Sequence, residues 1–271
     1  MRSTGWLILL LLAAALIYLT CPNLNRKRMK GWTARLLAHR GLHDIDGGVV
    51  ENTLPAFAAA CERGYGMELD IQFSKDFEVV VFHDDTLERL TGDPRWVSDC
   101  TLEELRAFKL CGIETARIPT LREVLDCVDG RAPLLIELKD GKNNARLCAA
   151  LMEHLKGYTG EYLVESFNPQ IVFWFRRHAP ELVRGQLVCP MQEYRPQANA
   201  VSAFFMSGLL LNCLARPDFV AYNGNAPRFF SPHFQRFVFR TPMAVWTVRT
   251  ERLQKLVEQR GEISIFEKIR P

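Results

Sequence analysis

Glu68 and Asp70 stand two residues apart in the run Met67-Glu68-Leu69-Asp70-Ile71-Gln72-Phe73. As a strand this run alternates, with Leu69, Ile71 and Phe73 on one face and Glu68, Asp70 and Gln72 on the other. The two carboxylates then lie about 7 Å apart along one side. Carboxylates held that close repel each other unless a cation or a shared proton compensates. A hard divalent ion with oxygen ligands supplies that compensation. A solvated edge strand would carry the same pattern, so the neighbouring stretches decide between the two.

Those neighbours repeat one design. Leu36-Leu37-Ala38-His39-Arg40-Gly41 is an apolar run ending in a base and a fixed cation. Val79-Val80-Val81-Phe82-His83-Asp84 ends in a second histidine, and Pro133-Leu134-Leu135-Ile136-Glu137-Leu138-Lys139 in a carboxylate and an ammonium. Ionisable groups at the C-terminal ends of strands are how a (β/α)8 barrel builds its active site. Glu68, Asp70 and Glu137 form an oxygen-donor set suited to Mg²⁺ or Ca²⁺, without the cysteine or clustered histidine that softer metals prefer. His39 and His83 end separate strands and could face each other across a phosphate, one taking a proton and the other giving one. Arg40 as a fork and Lys139 as a point charge suit its non-bridging oxygens. Glu51 could orient His39 or a metal-bound water; equally, it could be a helix N-terminal charge beside Asn52 and Thr53. His43, His154, His178 and His233 lack such company.

The ordered set His39-Arg40-Gly41, Glu51-Asn52-Thr53, Glu68-Leu69-Asp70, His83-Asp84 and Glu137-Leu138-Lys139 resembles the glycerophosphodiester phosphodiesterase family. The resemblance runs from about Ala34 to the C-terminus. It implies a TIM barrel with an insertion after the third strand and the same three carboxylates as metal ligands. It also implies an acid/base pair of His39 and His83, with a glycerol hydroxyl of the substrate as nucleophile. Met243-Ala244-Val245-Trp246-Thr247-Val248-Arg249 resembles the family strand whose indole lines the substrate pocket, so Trp246 is a candidate substrate-binding residue. Two departures bear on the alcohol pocket: Arg249 replaces an Asn, and Ile263-Ser264-Ile265-Phe266-Glu267 stands where the family's last strand has its usual acidic ending.

The expected function is therefore metal-dependent hydrolysis of glycerophosphodiesters to glycerol phosphate and an alcohol, with lysophospholipids as a further substrate class. A glycosidase barrel also uses strand-end carboxylates, but it needs neither two histidines nor two cations at the same mouth. A non-catalytic, membrane-tethered lipid-binding barrel would tolerate loss of site residues, and all seven stand.

Length accommodates this architecture, since 271 residues hold one barrel of roughly 240. The expected division is a membrane anchor with its basic flank over residues 1–30 and the barrel over 31–271. Gly5 to Cys21 is uncharged over 17 residues, with Trp6 and Tyr18 near its ends. It predicts an uncleaved transmembrane helix. The net charge of +3 divides into +5 over residues 1–30 and −2 over the rest, which argues against a nucleic-acid-binding domain. Basic residues from Arg26 to Lys30 outweigh Arg2, which predicts a cytoplasmic catalytic domain at the cell membrane. The eight cysteines are scattered without a C-x-x-C pair, as in a reduced protein.

Past the site motifs, strand and helix patterns alternate. Nine strand candidates compete for eight places, and Phe219 to Tyr222 is the one read as a loop strand. Ala198 to Leu214 reads as one helix. The aromatic run Phe229, Phe230, Phe234, Phe237 and Phe239, interleaved with Arg228, Arg236 and Arg240, and the triplet Phe204-Phe205-Met206 suit either packing on the barrel or a headgroup boundary.

Overall fold

Short apolar runs separated by helices close into a parallel barrel in the computed structural model, which describes residues 2–194, 198–227 and 229–271. In chain order the strands are β1 Leu36–Ala38, β2 Gly66–Phe73, β3 Val79–Val81, β4 Leu134–Leu138, β5 Tyr162–Ser166, β6 Arg184–Val188, β7 Phe219–Asn223, β8 Met243–Val248 and β9 Ile263–Phe266. β1 pairs with both β2 and β9, which completes a ring of eight parallel strands.

The strand outside the ring is β3, not β7. Only a short turn separates Phe73 from Val79, too little chain for the crossover a parallel pair requires, so β3 folds back antiparallel on β2. Phe219–Asn223 is a full member of the ring between β6 and β8. The insertion therefore follows the third strand in sequence but leaves the ring between β2 and β4. Its Val97, Cys100, Leu105 and Leu110 pack with Val80 and Phe82 in a small core of their own.

Both faces of the ring are covered, as parallel sheets require. Leu69, Ile71, Leu134, Ile136 and Val164 point outward against Phe57, Val124, Leu147 and Phe175 of the surrounding helices. Inside, Leu37, Leu135, Leu163, Phe219 and Ile265 fill the barrel, with Met29 and Trp32 packed into its floor. The barrel's packing thus begins before residue 31. Arg28, part of the basic flank expected beside a membrane anchor, donates to the buried Asp218 at 2.7 Å and to the Leu182 carbonyl at 2.7 Å.

The helices follow their capping signals. Thr101 and Thr120 make capping boxes with Glu104 and Glu123 for helices Leu102–Ala107 and Leu121–Val128. Thr53 precedes helix Leu54–Glu62 without capping it; its hydroxyl donates to the Val50 carbonyl. The expected helix over Ala198 to Leu214 is broken into Ala200–Ser207 and Asn212–Ala215, with Leu209 in the left-handed region between them.

The N-terminal helix Arg2–Thr20 exposes its apolar residues from Trp6 to Leu12. Among the described residues no helix is long and apolar enough to cross a membrane, so the expected transmembrane span is not found. The apolar stretch from Gly5 to Leu19 rises about 22 Å, short of the ~30 Å hydrocarbon core. All eight cysteines are free.

Candidate active site

Strand register brings the carboxylates together. Asp70 on β2 pairs with Glu137 on β4, and Glu68 lies one pleat below on the same face. One oxygen from each of Glu68, Asp70 and Glu137 falls within 4.8 Å of the others, and all three side chains are buried. This set of hard oxygen donors fits a divalent cation. Burial and the charges of Asp70 and Glu137 push the Glu68 carboxyl well above its usual range. Burial acts the same way on Asp70, but there His83, Lys139 and Arg40 overcome it and hold the group below. Lys139 sits over the cluster, donating to Glu137 at 2.8 Å and lying 3.5 Å from Asp70.

Arg40 is placed by its own backbone. It adopts a φ of 55°, which aims its N–H at Glu68 Oε2, 2.9 Å away. Gly41 follows with a φ of 79°, and any Cβ there would meet Ala56 at 2.9 Å. Only glycine lets β1 turn this tightly under the Leu54–Glu62 helix. The Arg40 guanidinium donates to Glu51 at 2.6 Å and lies 3.6 Å from Asp70, while its buried Nε has no hydrogen-bond partner.

Glu51 is not beside His39. Its carboxylate accepts from Arg40 and, at 2.9 and 2.7 Å, from two nitrogens of Arg89. Burial opposes its ionisation, but the Arg89 hydrogen bonds and the Arg40 charge lower its pKa to about 2. Asn52, in the left-handed region at φ 54°, donates to Asp70 Oδ2 at 2.8 Å.

The two histidines are mounted alike. His39 Nδ1 hydrogen-bonds Glu267 at 2.8 Å, and Glu267 in turn accepts from Arg249 at 3.1 and 3.2 Å. His83 Nδ1 hydrogen-bonds Asp84 at 2.6 Å, and Asp84 accepts from Arg89 at 2.6 Å. Each imidazole is thus tied at Nδ1 to a carboxylate that an arginine holds, which leaves Nε2 for chemistry. His39 Nε2 lies 4.0 Å from Glu68. Burial drives the His39 pKa down to about 4 despite the Glu267 hydrogen bond, so its ring is neutral at neutral pH. His83 reaches the mouth because β3 returns along β2: Phe82 N–H donates to the Asp70 carbonyl, and Gln72 donates to the Phe82 and Asp84 carbonyls.

Sequence reasoning missed several of these groups. Asp84 directly follows His83, and Glu267 ends β9 as an acid after all. Glu165 ends β5, where the strand-end rule that picked out Glu137 also applies. Arg89 carries no such signal, because only the folded insertion brings it to Glu51 and Asp84. Two adjoining cavities open over the cluster. One of about 330 Å³ is lined by His39, Arg40, Glu68, Glu165 and Trp246. The other, of about 580 Å³, is lined by His83, Asp84, Lys139, Tyr194 and Trp246.

The model of the glycerophosphoryl diester phosphodiesterase family matches residues 39–267. The chain belongs to that family. A glycerophosphodiester phosphodiesterase of Caldanaerobacter subterraneus subsp. tengcongensis is 33% identical over 193 residues, 66% of this chain and 77% of that one. One from Bacillus subtilis is 29% identical over 219 residues, covering 73% and 72%. A solved glycerophosphodiester phosphodiesterase of Thermotoga maritima superposes with a TM-score of 0.64 at 25% identity, covering 85% of this chain and 93% of that one. A phosphodiesterase of Oleispira antarctica, solved with its product sn-glycerol-3-phosphate, superposes at 0.69 with 23% identity, covering 88% and 94%. The chain is accordingly a glycerophosphodiester phosphodiesterase, a phosphoric diester hydrolase on a TIM barrel.

Proposed function

We propose that the site performs metal-dependent hydrolysis with His39 and His83 as its acid/base pair. The observation that carries this reading is the convergence of Glu68, Asp70 and Glu137 within 4.8 Å, at the strand ends that bear the two histidines. Glu68, Asp70 and Glu137 would hold a Mg²⁺ or Ca²⁺ ion, which when bound neutralises charge on the phosphate. Arg40 and Lys139 bind the non-bridging phosphate oxygens and place phosphorus between the histidines. One imidazole Nε2 takes the proton of the attacking hydroxyl as its oxygen bonds to phosphorus. The other gives its proton to the alkoxide as the phosphorus–alcohol bond breaks. Where the attacking hydroxyl is the glycerol's own, the product is a cyclic phosphate; water then bonds to phosphorus as the ring P–O bond breaks, with the two imidazoles in reversed roles, to give glycerol phosphate. The Trp246 indole closes the pocket over the substrate.

The reading is tested by following release of alcohol and sn-glycerol 3-phosphate from glycerophosphocholine with the full chain. Excess EDTA should abolish release, and Mg²⁺ or Ca²⁺ should restore it. Full turnover in EDTA, with no metal found on the protein, refutes the site as drawn.

A lipid-side role has its own support. Phe204, Phe230 and Phe237 are 57%, 60% and 74% exposed, whereas Phe229 is packed inward. Arg228 lies outside the described residues. The helix carrying Phe204 lays Ala203 and Met206 against Tyr194, Phe167 and Trp246 at the cavity wall. Nearby, the Thr20 carbonyl at the end of the N-terminal helix accepts from Asn212 and Gln235. Exposed aromatics with Arg26, Arg216 and Arg240 close by suit an anionic headgroup layer. We propose that this face rests on a membrane surface and that lysophospholipids are among the substrates.

A further inference from the structure

Glu165 has no place in the chemistry above. It lies at the top of β5, beside Glu137 in register on one side and Gly185 on the other. Gly185 has no side chain to offer it, and the space above that glycine holds the Phe219 ring. The carboxylate is 2% exposed and lines the 330 Å³ cavity with His39 and Arg40, and its Oε2 has no hydrogen-bond partner. It falls outside the three-carboxylate set able to hold an ion.

A buried unpaired carboxylate is costly, and such groups call for a ligand. The same cavity contains two further orphans, Trp246 Nε1 and Arg40 Nε. Together they offer one anion-binding donor beside the carboxylate cluster, one neutral donor and one acceptor. Phe167, Leu187 and Ile265 form apolar walls between them. A phosphate ester of a small polyol matches that arrangement: phosphate at Arg40, carbon chain on the walls, hydroxyls between indole and carboxylate.

We propose that Glu165 is the specificity-determining residue for the glycerol half of the substrate, accepting a hydrogen bond from a glycerol hydroxyl to which Trp246 Nε1 donates. The inference rests on the proposed phosphodiesterase reading and goes beyond it by assigning the two cavities. The 330 Å³ lobe takes glycerol and the 580 Å³ lobe takes the departing alcohol. A site built to bond a hydroxyl rejects the analogue that lacks it, because its own polar groups are left unpaired.

The test is calorimetric binding of sn-glycerol 3-phosphate and of n-propyl phosphate to full-length, metal-loaded wild type, E165A, E165Q and W246F. Neither ligand turns over, so binding is read apart from catalysis. Wild type should prefer the glycerol ester by about tenfold or more, the worth of one or two hydrogen bonds. E165A should bind both esters alike, with propyl phosphate affinity close to that of wild type. E165Q, which keeps an acceptor oxygen, should retain part of the preference, and W246F, which also alters the wall over both esters, should lose more for the glycerol ester than for propyl phosphate. The proposal is overturned if E165A keeps the wild-type preference. It is equally overturned if E165A weakens both esters by the same factor, which would place Glu165 behind Glu137 and the cation. E165Q serves as the deciding variant should E165A not fold. Failure of wild type to hydrolyse any glycerophosphodiester would instead defeat the underlying reading.

Discussion

Glu267, at the end of the last strand, is 2.8 Å from His39 Nδ1 at the end of the first, and the two strands are neighbours only because the barrel closes. Two hundred and twenty-eight positions separate the residues in the chain. Closure therefore assembles half of the proposed acid/base pair. Replacing Glu267 by Gln or Ala should lower kcat by about 10–100-fold, the usual cost of losing an orienting partner, while KM changes little. R249A should cost less, because it acts one bond further out. Steady-state kinetics on a soluble glycerophosphodiester check both; an E267A enzyme with wild-type kcat removes Glu267 from the account.

Acid stability should depend on Glu51. Its pKa is lowered from 4.5 to about 2 by Arg89 and Arg40 against the opposing effect of burial. A depressed carboxylate stabilises above the unfolded value, and that contribution is lost as pH falls through the folded one. At neutral pH it is on the order of 3 kcal/mol. Urea unfolding of wild type and E51Q should therefore show a gap that is full at pH 6 and shrinks between pH 4.5 and 2. A gap independent of pH shows that Glu51 contributes through packing alone.

Residues Asn23 to Trp32 belong to the barrel floor. Arg28 and Asn23 both donate to the buried Asp218, and Met29 and Trp32 close the interior. Deleting residues 1–19, which keeps the Thr20 and Cys21 carbonyls that accept from Asn212, Gln235 and Arg216, should leave the midpoint of thermal unfolding within a few degrees of the full chain. Deleting residues 1–30 should lower it by more, since Asp218 then keeps Arg184 but loses Arg28 and Asn23, and the interior loses Met29. Equal midpoints for the two truncations would assign the floor no structural weight.

Membrane apposition makes a separable demand. Changing Phe204, Phe230 and Phe237 together to Ser should abolish co-sedimentation of the full chain with anionic liposomes and slow lysophospholipid turnover. Hydrolysis of water-soluble glycerophosphocholine should be unchanged. Undiminished liposome binding by the triple variant moves the contact elsewhere.

Much of the candidate site was legible because its ionisable groups are carried by strand ends. His39, Glu68, Asp70, Glu137 and Lys139 follow from the period of two and from the rule that barrel sites sit at C-terminal ends. The hairpin was legible as well, since five residues cannot cross over between parallel strands; reading β3 as a ring strand and β7 as a loop ignored that limit. Glu51 was left open in sequence between orienting His39 or a metal-bound water and serving as a helix N-terminal charge; its partners Arg40 and Arg89 are set by the left-handed turn at Arg40 and by the folded insertion. The apolar N-terminal stretch read as a span because composition alone does not fix how much of the rise is apolar.

The proposed chemistry requires His39 and His83 to act on one phosphate above the carboxylate cluster. The most direct measurement is kcat for H39A and H83A on a glycerophosphodiester, alongside metal affinity and thermal midpoint for each. Each variant should lose about 10²–10⁴ in kcat, the usual worth of a positioned acid or base. Metal affinity and midpoint should stay near those of wild type, because both rings sit at the mouth. Near wild-type turnover by either variant contradicts the acid/base pair.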